Sequence, residues 1–246
     1  MEKQLHRVQN PNRLWYLTIK NLKVMFRDRI EWIWLLGYPF IFILLFAFAF
    51  GPGAFDIMAP AVILIGPLVL ISQLASHFAE EKESGTMRRL ATTPVSRGTL
   101  LLSGMTAQLV IGAFQIVLLF VLSVVFGAKI DPAANLGLLF VIPFLTCFTS
   151  LGFGLLLASL IKTANSAGVL AWFVILPLQI IGGLTTSEPL IAGFPTSFAV
   201  DAMRKVMTYG LCSFDAIGID ILGIIAWGLI TTLIGVLLFQ RKTALL

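Results

Sequence analysis

The sequence predicts an all-α membrane protein with six transmembrane helices, and two observations lead to this fold class. Hydrophobic residues make up 58% of the chain and charged residues only 12%, whereas soluble domains use roughly 45–50% and 25%. The apolar residues are also concentrated in stretches of about 18 residues or more, long enough to cross a hydrocarbon core of roughly 30 Å as helices. Each stretch has to be helical, because lipid offers no partners to an open backbone.

The predicted spans follow one another within a single transmembrane domain, residues 1–246. They are 32–50, 57–77, 99–126, 135–160, 167–184 and 218–239. Prolines inside them are expected to kink their helices, as Pro67, Pro143 and Pro177 illustrate.

The basic residues predict which way the chain crosses the membrane. Of the 17 Lys and Arg residues, only Lys129, Arg204 and Lys205 fall on one side of the six-span arrangement, and the rest fall on the other. By the positive-inside rule both termini are cytoplasmic, and we expect an inner-membrane protein. The net charge of +5 then indicates contact with anionic membrane lipids and not with nucleic acid.

The segment before the first span, residues 10–31, is predicted to be an interfacial amphipathic helix. Trp15, Ile19, Leu22 and Phe26 recur at helical spacing and form one apolar stripe. Basic residues occupy a different face, as in helices that lie in the headgroup plane. The helix is either a simple topology anchor or a lever that links cytoplasmic motion to the first span.

The spans carry no Asp, Glu, Lys or Arg near their centres, which argues against an ion-coupled transporter. Enzyme motifs are also missing: the sequence has no phosphate-binding loop of the G-x-x-x-x-G-K-[ST] type, and His6 and His77 form neither a zinc motif nor a nucleophile dyad. We therefore expect no catalytic, cofactor or metal site in this chain, and any energy for transport comes from another polypeptide.

Neutral polar residues inside the spans have two interpretations. Gln108 and Gln115 share a face of the third span, and Gln179 lies in the fifth. They either form interhelical hydrogen bonds or line a substrate pathway. Ser150, Gly154 and Ala158 form a small-residue stripe that predicts close packing of another helix.

The longest cytoplasmic connection, residues 80–97, predicts a short surface helix between two breaks. An acidic cluster opens the connection, Gly85 interrupts it, and Thr86 is placed to cap the helix that follows. Pro94 ends that helix. From the residues alone the connection is either this short helix or a solvated connector.

The same connection resembles the loop between the second and third spans of ABC transporter type-2 permeases. From Glu81 to Arg97 it reads Glu-Lys-Glu-Ser-Gly-Thr-Met-Arg-Arg-Leu-Ala-Thr-Thr-Pro-Val-Ser-Arg, which matches the family order of acidic cluster, Gly-Thr, basic-Leu and Thr-Pro. The segment 185–217 is similar to the re-entrant outer hairpin of that family, with Met203 in place of the usual Leu in its Asp-Ala-Leu-Arg-like motif.

The resemblance implies the permease subunit of an ATP-driven exporter, paired with a second permease copy (identical or related) and served by a separate ABC ATPase that binds ATP and Mg. The loop helix would be the coupling helix that contacts this ATPase, and Asp201 and Arg204 in the outer hairpin would pair with each other. The implied coupling residues are Glu80, Glu81, Glu83, Gly85, Thr86, Arg88, Arg89, Leu90 and Pro94, and the implied outer gate is Pro195, Asp201 and Arg204.

The substrate is less defined than the family. Apolar spans and the similarity of the loop to drug-efflux permeases favour a lipophilic or amphiphilic small molecule or a lipid-linked substrate, while export of polysaccharide or lipid by the same family stays open. A self-contained channel or ion-coupled carrier and a non-transporting scaffold are the alternatives from other classes.

Overall fold

The computed structural model describes residues 11–27, 29–85, 97–183 and 193–244. Within these ranges the regular structure is entirely helical, which confirms the predicted all-α class for the described residues. The helices in chain order are α1 (Pro11–Arg27), α2 (Arg29–Ile63), α3 (Ile65–Glu83), α4 (Arg97–Val125), α5 (Leu136–Leu160), α6 (Ala164–Gly183), α7 (Pro195–Tyr209) and α8 (Phe214–Ala244).

Five helical stretches in the described part are long and apolar enough to cross a membrane, so the chain is a multi-pass membrane protein. They are Phe55–Glu83, Gly98–Val125, Leu136–Leu160, Ala164–Gly183 and Phe214–Phe239, and they correspond to the second through sixth predicted spans. The first predicted span, 32–50, lies inside α2. The apolar stretch that the structure describes there, Gly37–Ala49, is shorter than the five spanning-length helices, so this span stays a prediction.

The boundary between the first two predicted spans differs in the structure. The connection predicted at 51–56 is helical, and the interruption falls instead at Leu64, between α2 and α3. Pro67 follows closely and has no N–H to donate to the carbonyl of Ile63, which explains a break at this point. Residues 51–53 are helical although they consist of two glycines and a proline.

The last two spans start earlier than predicted. Helix α6 begins at Ala164 and α8 at Phe214, so the final four residues of the predicted outer segment 185–217 belong to α8. The start of α5 agrees with the prediction, since Asn135 caps the helix by accepting hydrogen bonds from the N–H groups of Gly137 and Leu138.

Helix α5 lies at the centre of the bundle and contacts α3, α4, α6, α7 and α8. Its small-residue stripe is buried, and a Cβ added at Gly154 would come within 2.9 Å of the Ile71 carbonyl oxygen on α3. On another face, Thr149 Oγ1 donates to the Ile224 carbonyl of α8 at 3.1 Å. Close approach and hydroxyl-to-backbone bonds are the means by which helices associate where lipid is as apolar as the side chains. The packing interpretation of the stripe is therefore confirmed.

Helix α1 packs on α4 through its polar side. Thr18 and Asn21 are buried, whereas Trp15 and Phe26 are more than half exposed. Ile19 and Leu22, the other two residues of the predicted apolar stripe, are half-buried, so the chain covers the stripe in part. The exposed apolar side chains suit contact with the apolar part of a lipid layer, and the interfacial position of α1 stays a prediction.

The contact between α5 and α8 generates a stability prediction. A Cβ at Gly152 would lie 2.7 Å from the backbone nitrogen of Thr232, which has no freedom to move aside. We expect Gly152→Val to force α5 and α8 apart and to lower the free energy of unfolding by about 1–3 kcal/mol, the usual cost of overpacking. The measurement is the thermal unfolding midpoint of the purified chain in detergent.

The matched control is Gly37→Ala on α2, where an added Cβ meets nothing within 4 Å. Its midpoint should stay at or slightly above that of the parent chain. Equal midpoints for Gly152→Val and the parent would contradict the close packing of α5 on α8.

Candidate functional site

The helix bundle has two ends that concern function. We call the end where α3 and α5 finish and α4 and α6 begin the loop end, because residues 86–96 connect α3 to α4 there. The opposite end is where α4 and α7 finish and α5 and α8 begin. The ion pairs of the described residues lie near these two ends.

At the loop end, Lys82 in the last turn of α3 joins three helices. Its Nζ donates a hydrogen bond to the carbonyl oxygen of Ala158 in the last turn of α5, and it lies 4.5 Å from the ring centroid of Phe239 on α8. The last carbonyls of a helix lack intrahelical partners and carry partial negative charge, so a cation is favourable there. The aromatic ring adds a cation–π contact.

The next residue, Glu83, makes the complementary contact. Its Oε2 accepts a hydrogen bond of 3.1 Å from the N–H of Ala164, the first residue of α6. An N–H at a helix start also lacks an intrahelical partner, and a carboxylate matches the sign of the helix dipole. Lys82 and Glu83 therefore bind the end of α5 and the start of α6, and we call these two residues with Ala158 and Ala164 the α3 clamp.

The acidic cluster predicted to contact an ATPase is divided by the fold. Glu80 is exposed, whereas Glu81 is buried and its Oε1 lies 3.9 Å from His77 Nε2. Glu83 is exposed but is bonded to α6 through the α3 clamp. Of the three carboxylates, Glu80 is the one that is exposed and forms no bond to another described residue.

The predicted helix break at Gly85 is observed. Helix α3 ends at Glu83, and Gly85 adopts a φ of +68°, in the left-handed region that glycine adopts without strain. The other predicted coupling residues, Thr86, Arg88, Arg89, Leu90 and Pro94, lie outside the described residues.

Helix α7 begins deep inside the bundle. Trp227 Nε1, roughly 20 Å along α8 from its start, donates to the carbonyl of Gly193 at 2.9 Å. Thr196 Oγ1 donates to the Leu178 carbonyl of α6 at 2.7 Å. At the other terminus of α7, the Met207 carbonyl accepts from the Asp131 N–H at the opposite end of the bundle. Helix α7 therefore runs from about half depth to the opposite end, with Pro195 buried at its first position.

Lys205 on α7 bridges two carboxylates, which corrects the predicted pairing of Asp201 with Arg204. Its Nζ lies 2.8 Å from Asp201 Oδ2, one turn earlier, and 2.7 Å from Asp220 Oδ2 on α8. The prediction placed the partner of Asp201 one position too early, because Lys205 lies just outside the Asp-Ala-Met-Arg motif. The motif also gives no sign that Asp220 of α8 shares the same lysine. Arg204 is half-buried on α7.

The environment of Lys205 keeps this residue charged. Partial burial lowers the pKa of Lys205, but hydrogen bonds and attraction to Asp201 and Asp220 outweigh burial and raise the pKa above its ordinary value. A cation with a raised pKa contributes its stabilisation fully below the ordinary lysine pKa and loses it only as the pH rises through the folded-state value. The bridge is therefore intact throughout the neutral range.

The glutamines considered as pathway residues lie at helix contacts. Gln108 is buried, with its Nε2 3.8 Å from Met25 Sδ on α1. Gln115 is buried where α4 passes Gly66. Gln179 Nε2 donates to the Ala61 carbonyl of α2 at 2.9 Å. These positions favour the interhelical interpretation over the pathway.

Sequence reasoning missed three residues that the structure brings into sites: Lys82, Lys205 and Gln73. Lys82 was counted only as a basic residue of the loop, and Lys205 only as part of the charge balance. Gln73, a polar residue within the second predicted span, lines a cavity between α3 and its neighbours. An isolated amide at membrane depth was the available signal.

Residues 51–237 match a family model described as ABC-2 family transporter protein. The match covers nearly all of the five spanning-length helices, the loop end, α7 and Lys205 with both of its partners. It agrees with the resemblance found in the loop and in the outer segment. No curated protein matches the chain.

The bridge at Lys205 generates a second prediction. Lys205→Met leaves the buried Asp220 carboxylate without its cation, and removing one partner of a buried pair costs up to about 3–5 kcal/mol. We expect a marked fall in the thermal unfolding midpoint, and the double variant Lys205→Met with Asp220→Asn should recover most of it.

Lys129→Met is the matched control. The Lys129 side chain is 85% exposed and its Nζ lies as far as 3.9 Å from Asp56 Oδ2, and such exposed pairs contribute little to stability, so the midpoint should change little. If Lys205→Met behaved like Lys129→Met, the bridge would not hold α7 to α8.

Proposed function

The chain belongs to the ABC-2 transporter family, and we propose that it is the permease subunit of an ATP-driven exporter. The proposed substrate is a lipophilic or amphiphilic small molecule or a lipid-linked molecule, moved from the cytoplasm or inner leaflet. ATP and Mg bind to a separate ATPase subunit. The observation that carries the proposal is the loop end, where a family-like connection follows directly on a helix turn bonded to three other helices.

The α3 clamp supplies a route from the loop to the spans. A push on residues 86–96 reaches α3 through Gly85, and Lys82 and Glu83 pass it to α5, α6 and α8 by bonds that are oriented by charge. Because the end of α3 is bonded directly to the end of α5 and the start of α6, a displacement of α3 moves these helices with it.

The division of the acidic cluster refines the proposed contact with the ATPase. Glu81 is buried and Glu83 is bonded to α6, so we assign the intermolecular contact to Glu80, Arg88, Arg89 and Leu90. Gly85, Thr86 and Pro94 set the geometry of the short helix. Glu81 and Glu83 instead make contacts within the permease, with His77 and with the Ala164 N–H respectively.

At the opposite end, α7 serves as the inner arm of an outer lid. Its entry at half depth supports a re-entrant hairpin within 185–217, and the bridge of Lys205 to Asp201 and Asp220 holds this arm on α8. Pro195 fixes where the arm begins. Asp201 and Arg204 lie further along the arm, toward the opposite end of the bundle. Two such permeases, identical or related, enclose the pathway.

We further propose six crossings in the inner membrane with both termini cytoplasmic. In a Cys212→Ser background, Cys147 is buried and serves as the blank for a membrane-impermeant maleimide. Lys129→Cys should react in intact cells, whereas Lys3→Cys and Arg241→Cys should react only in inverted vesicles. Five crossings without 32–50 would place Lys3→Cys and Arg241→Cys on opposite sides, and that labelling pattern would reject the sixth span.

The decisive experiment is purification of the tagged chain from its native membrane in mild detergent, with mass spectrometry of co-purifying proteins. We expect an ABC ATPase with the parent chain and its loss, by about tenfold or more, with Arg88→Glu. Reversing one charge at an interface weakens attraction and adds repulsion.

Arg241→Glu is the matched control, since it reverses one arginine on an exposed position at the end of α8. It should retain the ATPase. Absence of any ATPase from the parent preparation, even after crosslinking, would reject the exporter and favour a channel or carrier that conducts alone in liposomes.

A further inference from the structure

A cavity opens between α2, α3 and α6. It has a volume of ≈ 230 Å³ and is lined by Tyr38, Val69, Ser72, Gln73 and Trp172. Trp172 is roughly 12 Å along α6 from Ala164, and Gln73 is roughly 15 Å along α3 from Glu83. Counted from the ends of the predicted spans 57–77 and 167–184, Gln73 and Trp172 lie roughly 6–8 Å inside the hydrocarbon core, on the side of the loop end.

The lining groups have unused hydrogen-bonding capacity. Within the described part of the chain, the Tyr38 hydroxyl, the Trp172 indole N–H and the Gln73 amide take part in no hydrogen bond, and Gln73 Oε1 is buried. Ser72 Oγ donates to the Gly168 carbonyl at 3.4 Å and keeps its own lone pairs. Gln73 Oε1 is the buried atom among them, and leaving a buried carbonyl oxygen unpaired costs free energy. The Tyr38 hydroxyl and the Trp172 N–H beside it can also take a partner, so the cavity suits a ligand that donates to Gln73.

The shape of the cavity selects the ligand further. The rings of Tyr38 and Trp172 meet edge to face, with centroids 4.7 Å apart and an interplanar angle of 62°. Aromatic walls of this kind accept another ring in an offset or edge-on arrangement. Among the residues whose side chains the structure describes, the lining contains no charged one, so a cation or anion would meet no counter-charge from them.

The volume is smaller than the roughly 300–1,000 Å³ of sites that enclose a whole drug-sized molecule. A single ring system with a small polar substituent fits it, while the remainder of a larger molecule would extend outward between the helices. A lipid acyl chain is disfavoured, because it would fill the space and leave every polar group unpaired.

We propose that this cavity is a binding subsite for the neutral, aromatic part of an amphiphilic substrate, recognised through a hydroxyl or amide substituent. The inference rests on the proposed export function for its purpose. Gln73 and Trp172 supply polar contacts, and Tyr38 supplies both a ring face and a hydroxyl.

The test uses the full chain in lipid nanodiscs and 1-naphthol as the probe, with naphthalene as the matched ligand without a hydroxyl. Binding is measured by equilibrium dialysis, after subtraction of partition into protein-free nanodiscs of the same lipid. We expect a saturable component of one 1-naphthol per chain. Gln73→Leu should weaken this component about tenfold while the weaker affinity for naphthalene is unchanged, since only the hydroxyl loses its partner.

Trp172→Phe should also lower the affinity for 1-naphthol, by several-fold. Trp227→Phe, which alters a tryptophan bonded to Gly193 away from the cavity, should not. Thermal midpoints of the variants show that each chain is folded. A purely linear uptake equal to that of empty nanodiscs, or identical affinities in Gln73→Leu, Trp172→Phe and the parent, would overturn the subsite.

The two proposals fail separately. Co-purification of an ATPase without saturable binding removes the subsite and leaves the exporter. Saturable, Gln73-dependent binding to a chain that captures no ATPase supports the subsite and rejects the ATP-driven function.

Discussion

The structure depends on one constraint: inside a membrane, every backbone polar group has to find its partner within the protein. This requirement makes the ends of helices, where backbone groups lack intrahelical partners, the places where other elements are needed. Asn135 satisfies the start of α5 within its own segment. The ends at the loop side are satisfied from a distance, by side chains of α3.

The same constraint explains where charge is found. A charge near the bilayer centre is costly, and the ionic contacts described here lie toward the ends of the bundle. Several of them join separate helices: Lys82 and Glu83 connect α3 with its neighbours, and Lys205 connects α7 with α8. The described polar groups that line the cavity are neutral, so recognition of a substrate there relies on hydrogen bonds and aromatic surfaces.

Apolar length was sufficient for the coarse fold, because it is a local property of the sequence. The five later spans and the break at Gly85 were predicted for this reason. The interruption at Leu64 was not, since several glycines and prolines compete to end the helix and packing decides among them. The partners of Glu83 and Lys205 were also beyond the sequence, because Ala164 contributes a backbone N–H that any residue has, and Asp220 comes from another helix.

The α3 clamp also has a consequence for biogenesis. Lys82 precedes its partner Ala158 by 76 positions, and Glu83 precedes Ala164 by 81. At a synthesis rate of about 5–20 residues per second, the ribosome needs roughly 4–16 s to deliver the second half of each contact. During that interval α3 and α4 are in the membrane while the last turn of α3 still bonds to water or to the insertion machinery. The bundle therefore closes late, and release from the translocon before α6 is made would leave the loop end open.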